Sequence, residues 1–216
     1  MSESLFKQMA QSVIDGDDDE AASLAQQVLD HGADPLQAIN NGFTAGMDVV
    51  GELYSTGEYF LPDLIQGGEA MKAALAVLEP ALKASGRARQ VLGTVVLGTV
   101  KGDIHEIGKS LVGSMLSANG FKVYDLGTDI EAGEFVAKTR EFDADIVALS
   151  ALLTTTMLHQ QDVIEHLAEA GLRERVKVMV GGSPVTQGWA DQIGADGFAE
   201  NATNAVVVAK KMMGVA

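Results

Sequence analysis

The chain has 216 residues, 47% of them hydrophobic and 21% charged, with no cysteine and a formal charge of −15. That length supplies one domain or two small ones with a sizeable core. The lack of Cys excludes disulfides, thiolate-held metals, Fe–S clusters and cysteine nucleophiles, and the negative charge disfavours unaided binding to nucleic acid or an anionic membrane. The longest apolar run, Val91 to Val100, is interrupted by Gly and Thr and is too short to cross a bilayer. No basic, apolar signal segment opens the chain. These features predict a soluble, cytoplasmic protein.

Charge divides the chain unevenly. Residues 1–84 carry 3 Lys/Arg against 14 Asp/Glu, and residues 85–216 carry 12 against 16. The stretch Lys83-Ala84-Ser85-Gly86-Arg87 is small and turn-prone, and it predicts a boundary between a helical domain over 1–86 and a second domain over 87–216. Within the first, Leu5, Met9 and Val13 repeat at helical spacing, as do Leu24 and Val28 before His31-Gly32. Asp34-Pro35 reads as an N-cap followed by a first-turn proline. From there Leu36, Ile39, Phe43, Met47, Val50 and Tyr54 form one stripe, closed by Gly57. A fourth helix begins near Leu61-Pro62 and buries Leu64, Ile65, Met71, Leu75, Leu78 and Leu82, with Pro80 expected to kink or end it. Four amphipathic helices with short connections make a bundle.

After Gly86 the period changes. Strands are expected at Val91–Leu97, Phe121–Leu126, Asp145–Ser150, Val176–Val180 and Ala195–Ala199. Between and after them lie helical patterns at Ile107–Asn119, Ala132–Phe142, Thr156–Ala170, Val185–Ile193 and Asn201–Met213. Five strand–helix units specify an α/β domain with a parallel sheet, for which the flavodoxin-like (Rossmann-type) order 2-1-3-4-5 leads. Ligands of such sheets bind at the carboxyl ends of the strands. That directs attention to the loops Gly98–Gly108, Ser150–Thr156 and Gly181–Pro184.

The first of these loops holds the only histidine at the three strand ends, His105, with Asp103 two residues before it. A carboxylate so placed can hold one imidazole nitrogen and make the other a better metal donor; it can equally cap the next helix beside a solvated histidine. Gly102 and Gly108 leave room for a bulky group. Ser150 and Thr154 to Thr156 line the third strand end with hydroxyls, and Gly181-Gly182 leaves a floor without side chains at the fourth. Together they outline a slot for something large and polar.

The pattern Asp103-x-His105-x-x-Gly108, then 41 residues, Ser150-x-Leu152, then 28 residues, Gly181-Gly182 resembles the signature of cobalamin-binding domains. Such domains occur in methionine synthase, in some mutases and in the corrinoid proteins of methanogens and acetogens. The helical half is similar to the cap domain of the methyl-carrying branch, so the resemblance covers essentially the whole chain. It implies cobalamin (methylcobalamin, a corrinoid with cobalt) bound base-off/His-on, with His105 as the cobalt ligand, Asp103 its hydrogen-bond partner and Ser150 extending that network. Gly102, Ile104, Gly108 and Leu152 would contact the cofactor. Thr154 and Thr156 would line the channel for the displaced nucleotide tail, with Gly181 and Gly182 near its end. Ala151 and Thr155 depart from the Gly and Pro of methionine synthases.

The function so implied is methyl carriage, non-catalytic alone. One partner would be a substrate:corrinoid methyltransferase for a methylamine, betaine, methanol or an aryl methyl ether. Another would be an acceptor methyltransferase acting on coenzyme M or tetrahydrofolate, and a third a reductive activase. A cobalamin-dependent sensor is the alternative, although no DNA-binding segment accompanies the fold. A receiver-like module without cobalt is a third reading, but it requires an acidic pocket where His105 and Ser150 stand.

Overall fold

The computed structural model describes residues 3–84 and 91–215, and the chain divides into two compact units, Met1–Gln90 and Val91–Ala216. The boundary expected at 86/87 lies outside the described residues. Among the described residues no helix is long and apolar enough to cross a membrane.

The first unit is helical: α1 (Glu3–Ile14), α2 (Asp18–Asp30), α3 (Pro35–Ala38), α4 (Thr44–Thr56) and α5 (Leu61–Ala84). Asp17 caps α2 by accepting from the Glu20 amide, and Asp34 caps α3 ahead of Pro35. Between α3 and α4 the backbone widens into a π turn over Ile39–Phe43. The stripe expected to be one helix is therefore one rod with a register change in it, ended by Gly57 in the left-handed conformation. α5 runs through Pro80 for its full 24 residues. Burial of Met71, Leu78 and Leu82 holds it where backbone bonding alone would break. Ile65, expected in the buried stripe, is instead exposed, beside exposed Phe60 and Leu61.

α1 lies close against the π turn and α4 because Gly42 and Gly46 stand where side chains would collide. A Cβ at Gly46 would sit 2.4 Å from the Ala10 carbonyl oxygen.

The second unit is a five-stranded sheet in the order β2-β1-β3-β4-β5, every pair parallel. The strands are β1 (Thr94–Thr99), β2 (Lys122–Asp125), β3 (Ile146–Ser150), β4 (Lys177–Gly181) and β5 (Gly197–Ala199). The helices are α6 (Ile107–Ala118), α7 (Ala132–Glu141), α8 (Leu158–Glu169), α9 (Gln187–Ile193) and α10 (Ala202–Met212). β1 starts three residues later than its apolar run, leaving Val91 exposed. Its first partners are Lys122 and the Asp145 carboxylate, which accepts from the Thr94 amide at 2.7 Å.

Alternation along the strands divides the core. Val96, Val147, Leu149, Val178 and Val180 pack with Phe135 of α7, Val163 and Leu167 of α8 and Trp189 of α9. The opposite set, Val95, Leu97, Ile146, Ala148 and Met179, is buried beside α6 and α10. β1 and β3 are adjacent, yet α6 and α8 leave them for opposite faces, so their loops diverge at the carboxyl edge.

Gly46→Ala is expected to destabilise the protein by about 1–3 kcal/mol, because relief of the overlap requires α1 to move as a body. Urea unfolding of the full chain, followed by far-ultraviolet circular dichroism, measures it.

Candidate cofactor site

The loop between β1 and α6 leaves the sheet at Thr99 and turns at Gly102, whose φ of 75° is in the left-handed region. Asp103 follows with its side chain fully buried. One carboxylate oxygen accepts from the His105 ring Nδ1 at 2.7 Å and from the His105 amide at 3.1 Å. The other accepts from the Leu152 amide at 2.7 Å and the Thr156 hydroxyl at 2.6 Å. Burial alone would push this carboxyl up; the bonds from Thr156, Leu152 and both His105 nitrogens outweigh it and hold the group well below the usual carboxylate range. An ionised carboxylate only accepts, so Nδ1 is the donor, and in the neutral ring the lone pair then lies on Nε2. The ring is 47% exposed, and Nε2 has no hydrogen-bond partner among the described residues.

Asp103 is thus not a helix cap. The N-cap position of α6 is Glu106, which makes no side-chain cap bond. The carboxylate serves the turn itself.

The hydroxyl expected from Ser150 comes from Thr156. Ser150, at the end of β3, gives its carbonyl to the Val100 amide; its side chain makes no bond to Asp103. The turn that starts at Leu153, whose carbonyl accepts from the Thr156 and Met157 amides, brings the buried Thr156 hydroxyl back to Asp103. α8 in consequence begins at Leu158 rather than at Thr156. Thr156 therefore closes the carboxylate's coordination and does not stand free along a channel, whereas Thr154 is exposed.

The two loops also expose apolar side chains: Ile104 and Ile107 are each 75% exposed, and Leu152, Leu153 and Leu158 are also open to solvent. A Cβ added at Gly108 would meet nothing within 4 Å. Register places Thr99, Ser150, Gly181 and Ala199 side by side across β1, β3, β4 and β5. By alternation all four point to the α6 and α10 face. Gly182 is there for a different reason. With φ at 125°, its Cβ would lie 1.8 Å from the Ala151 carbonyl oxygen, so the chains leaving β3 and β4 touch backbone to backbone.

Three further residues shape the site without a sequence signal strong enough to single them out. Gln160 is fully buried, donates to the carbonyls of Leu149 and Gly181 at 3.0 and 3.2 Å, and accepts from the Trp189 indole at 3.0 Å. Lys109, in the first turn of α6, is buried and ion-paired through both carboxylate oxygens with Asp125 of β2. Asp129, from the loop after β2, bonds the His105 turn from the other side.

The site's chemistry fits a metal that brings its own ring. Among the described residues no three His, Cys, Asp or Glu side chains converge to hold an ion; instead one oriented imidazole stands half-exposed. A corrin satisfies cobalt in its plane and asks the protein for one axial donor and flat contact. His105 would be the donor available for such a group, with exposed Ile104, Ile107 and the leucines as apolar contacts.

A flavodoxin-like sheet carrying an imidazole-centred cofactor site at its carboxyl edge is the class defined by these features. Comparison with known proteins narrows it. Residues 93–207 match a family model described as a B12 binding domain, and residues 5–79 match a second model with the same description. A corrinoid protein of Desulfitobacterium hafniense is 50% identical over 98% of both chains. The trimethylamine corrinoid protein of Methanosarcina barkeri is 46% identical over 99% of this chain and 98% of its own. Among solved structures, a cobalamin-binding protein from Desulfitobacterium hafniense is similar, with a TM-score of 0.79 and 36% identity, covering 94% of this chain and 96% of its own. The methanol:cobalamin methyltransferase complex of Methanosarcina barkeri gives a TM-score of 0.87 and 30% identity, covering all of this chain and 82% of the matched one. The chain belongs to the B12-binding corrinoid proteins of methyltransferase systems, and its cofactor is a corrinoid.

Asp103→Asn is expected to lower stability at pH 7 by about 1–3 kcal/mol, since an amide cannot accept from all four donors. The folded carboxyl is held low, so its contribution is complete above the unfolded value near 3.9 and is lost as pH falls through the folded one. The variant's deficit should be equal at pH 7 and pH 5 and shrink below about pH 4 in urea titrations at each pH. In the same assay Thr156→Val should cost about 1–3 kcal/mol, and Ser150→Ala less than about 0.5 kcal/mol.

Proposed function

We propose that the protein is the methyl-carrying subunit of a corrinoid-dependent methyltransferase system. It would bind cobalamin base-off, with His105 Nε2 as the lower cobalt ligand. The single observation that carries this is the half-exposed imidazole whose Nδ1 is fixed at 2.7 Å by a fully buried carboxylate while Nε2 has no hydrogen-bond partner among the described residues. Bound cobalamin supplies a cobalt centre able to accept a methyl group from a donor and release it to a thiol or pterin. His105 provides the axial nitrogen, and Asp103 keeps Nδ1 protonated so that Nε2 is available. Whether or not His105 is a ligand, its bond to Asp103 holds the ring in one orientation. The row Thr99, Ser150, Gly181 and Ala199 supports a slot for the displaced nucleotide between the sheet and α6/α10. In this reading residues 1–86 form the cap domain, on which Phe60, Leu61 and Ile65 are exposed.

The partners in this reading are a substrate:corrinoid methyltransferase, an acceptor methyltransferase using coenzyme M or tetrahydrofolate, and a reductive activase, all in the cytoplasm. The relatives named for trimethylamine and dimethylamine favour a methylated amine as the donor. The chain turns nothing over by itself.

His105→Ala is expected to weaken cobalamin retention by at least about 10-fold, since even loss of a group supporting a metal ligand costs that much, and to abolish the His-on absorption spectrum. A variant with an unchanged spectrum would falsify the ligand assignment. Methylation of the bound cofactor on adding trimethylamine and a trimethylamine-specific methyltransferase, followed spectrophotometrically, tests the donor.

A further inference from the structure

The His105 turn has no secondary structure between Val100 and Ile107, and its apex is open to solvent. The Asp103 carboxylate is anchored from the β3 side. The His105 backbone is itself held, by its amide on the Asp103 carboxylate and by the Thr99 hydroxyl, which donates to the His105 carbonyl at 2.9 Å. The preceding Gly102 amide and Asp103 carbonyl need a hold of their own.

That further tether comes from the β2 side. The Asp129 amide donates to the Asp103 carbonyl at 2.9 Å, and the Asp129 carboxylate accepts from the Gly102 amide at 2.7 Å. Both bonds reach the same two-residue backbone segment from one residue. To present its amide and carboxylate in one direction, Asp129 adopts φ 57°, one of two non-glycine residues with positive φ among those described. Such a conformation is uncommon and costs free energy, and Asp is among the few side chains that tolerate it. Neighbouring contacts brace the same junction: Thr99 donates to the Gly127 carbonyl, Ile130 donates to the Thr99 carbonyl, and Lys101 pairs with Glu131 at 2.8 Å.

We infer that Asp129 is a positioning residue for cobalt ligation: it fixes the backbone of the His105 turn so that Nε2 stays at one height and angle above the sheet edge. The inference rests on the reading of His105 as the lower ligand. It adds a residue outside the motif, from a different loop, acting through Gly102 and Asp103.

Two substitutions separate the parts of this role. Asp129→Gly accepts the left-handed conformation but removes the acceptor for Gly102. Asp129→Asn keeps an oxygen acceptor and tolerates the conformation. Apo protein reconstituted with hydroxocobalamin gives the bound affinity, and absorption and electron paramagnetic resonance of the reduced holoprotein give the His-on fraction. Amide hydrogen exchange at residues 102–105 of the apo protein gives a readout without cofactor.

Asp129→Gly is expected to reduce affinity and the His-on to His-off ratio by about two- to tenfold, the value of one hydrogen bond. Exchange at residues 102–105 should quicken by a similar factor while the melting temperature stays within a few degrees, and Asp129→Asn should restore all three. Asp129→Gly with the wild-type His-on ratio and exchange rates overturns the inference, as does a loss that Asn fails to rescue. A wild-type protein with no His-on signal overturns the ligand reading instead, and the positioning role with it.

Discussion

The second unit depends on a negative charge placed where water does not reach. A carboxylate in the interior is tolerated only when its oxygens are saturated with donors, and Asp103 meets that condition with four. Two come from its own turn and two from the turn after β3, so the charge joins segments about fifty residues apart in sequence. The same saturation that makes the charge tolerable fixes the proton on the imidazole. Ligand orientation and local stability are here one interaction.

Topology makes that interaction possible. Adjacent β1 and β3 send their helices to opposite faces, and the gap between the two departing loops is where Asp103 and Thr156 meet. Around it the chain is fastened in both directions. Lys109 with Asp125 ties the start of α6 to β2, and Gly182 against Ala151 ties the exits of β3 and β4. A rigid edge of this kind lets a short, exposed turn hold one geometry without secondary structure of its own.

Most of the architecture was legible from periodicity. Apolar β-branched runs alternating with helical stripes led to five parallel strands in the order found, and Asp34-Pro35 and Gly57 marked true helix ends. The Asp103–His105 pair could be read because a two-residue spacing in a loop brings carboxylate to imidazole directly. Strand position points to Ser150 as the hydroxyl beside Asp103, whereas the return of the turn after β3 decides that Thr156 is the one that arrives. Gln160, Lys109 and Asp129 were not legible: each works through partners 11 to 29 residues away, and a single polar residue in a helix or loop has no period to betray it. The π turn was equally silent, since a register shift of one residue leaves the apolar stripe nearly intact. Pro80 misled in the other direction, because local backbone preference yields when both flanks of a helix are well buried.

The Gln160 contact has an optical consequence. The chain contains a single tryptophan, and its indole proton is committed to the amide that bridges the ends of β3 and β4. Its fluorescence is therefore a native gauge of that edge, free of background from any other indole. Separation of the two strand ends would break the indole's bond and admit solvent, moving the emission to longer wavelength. A coloured macrocycle seated nearby would quench it by energy transfer, so that filling and opening could be followed separately without a label.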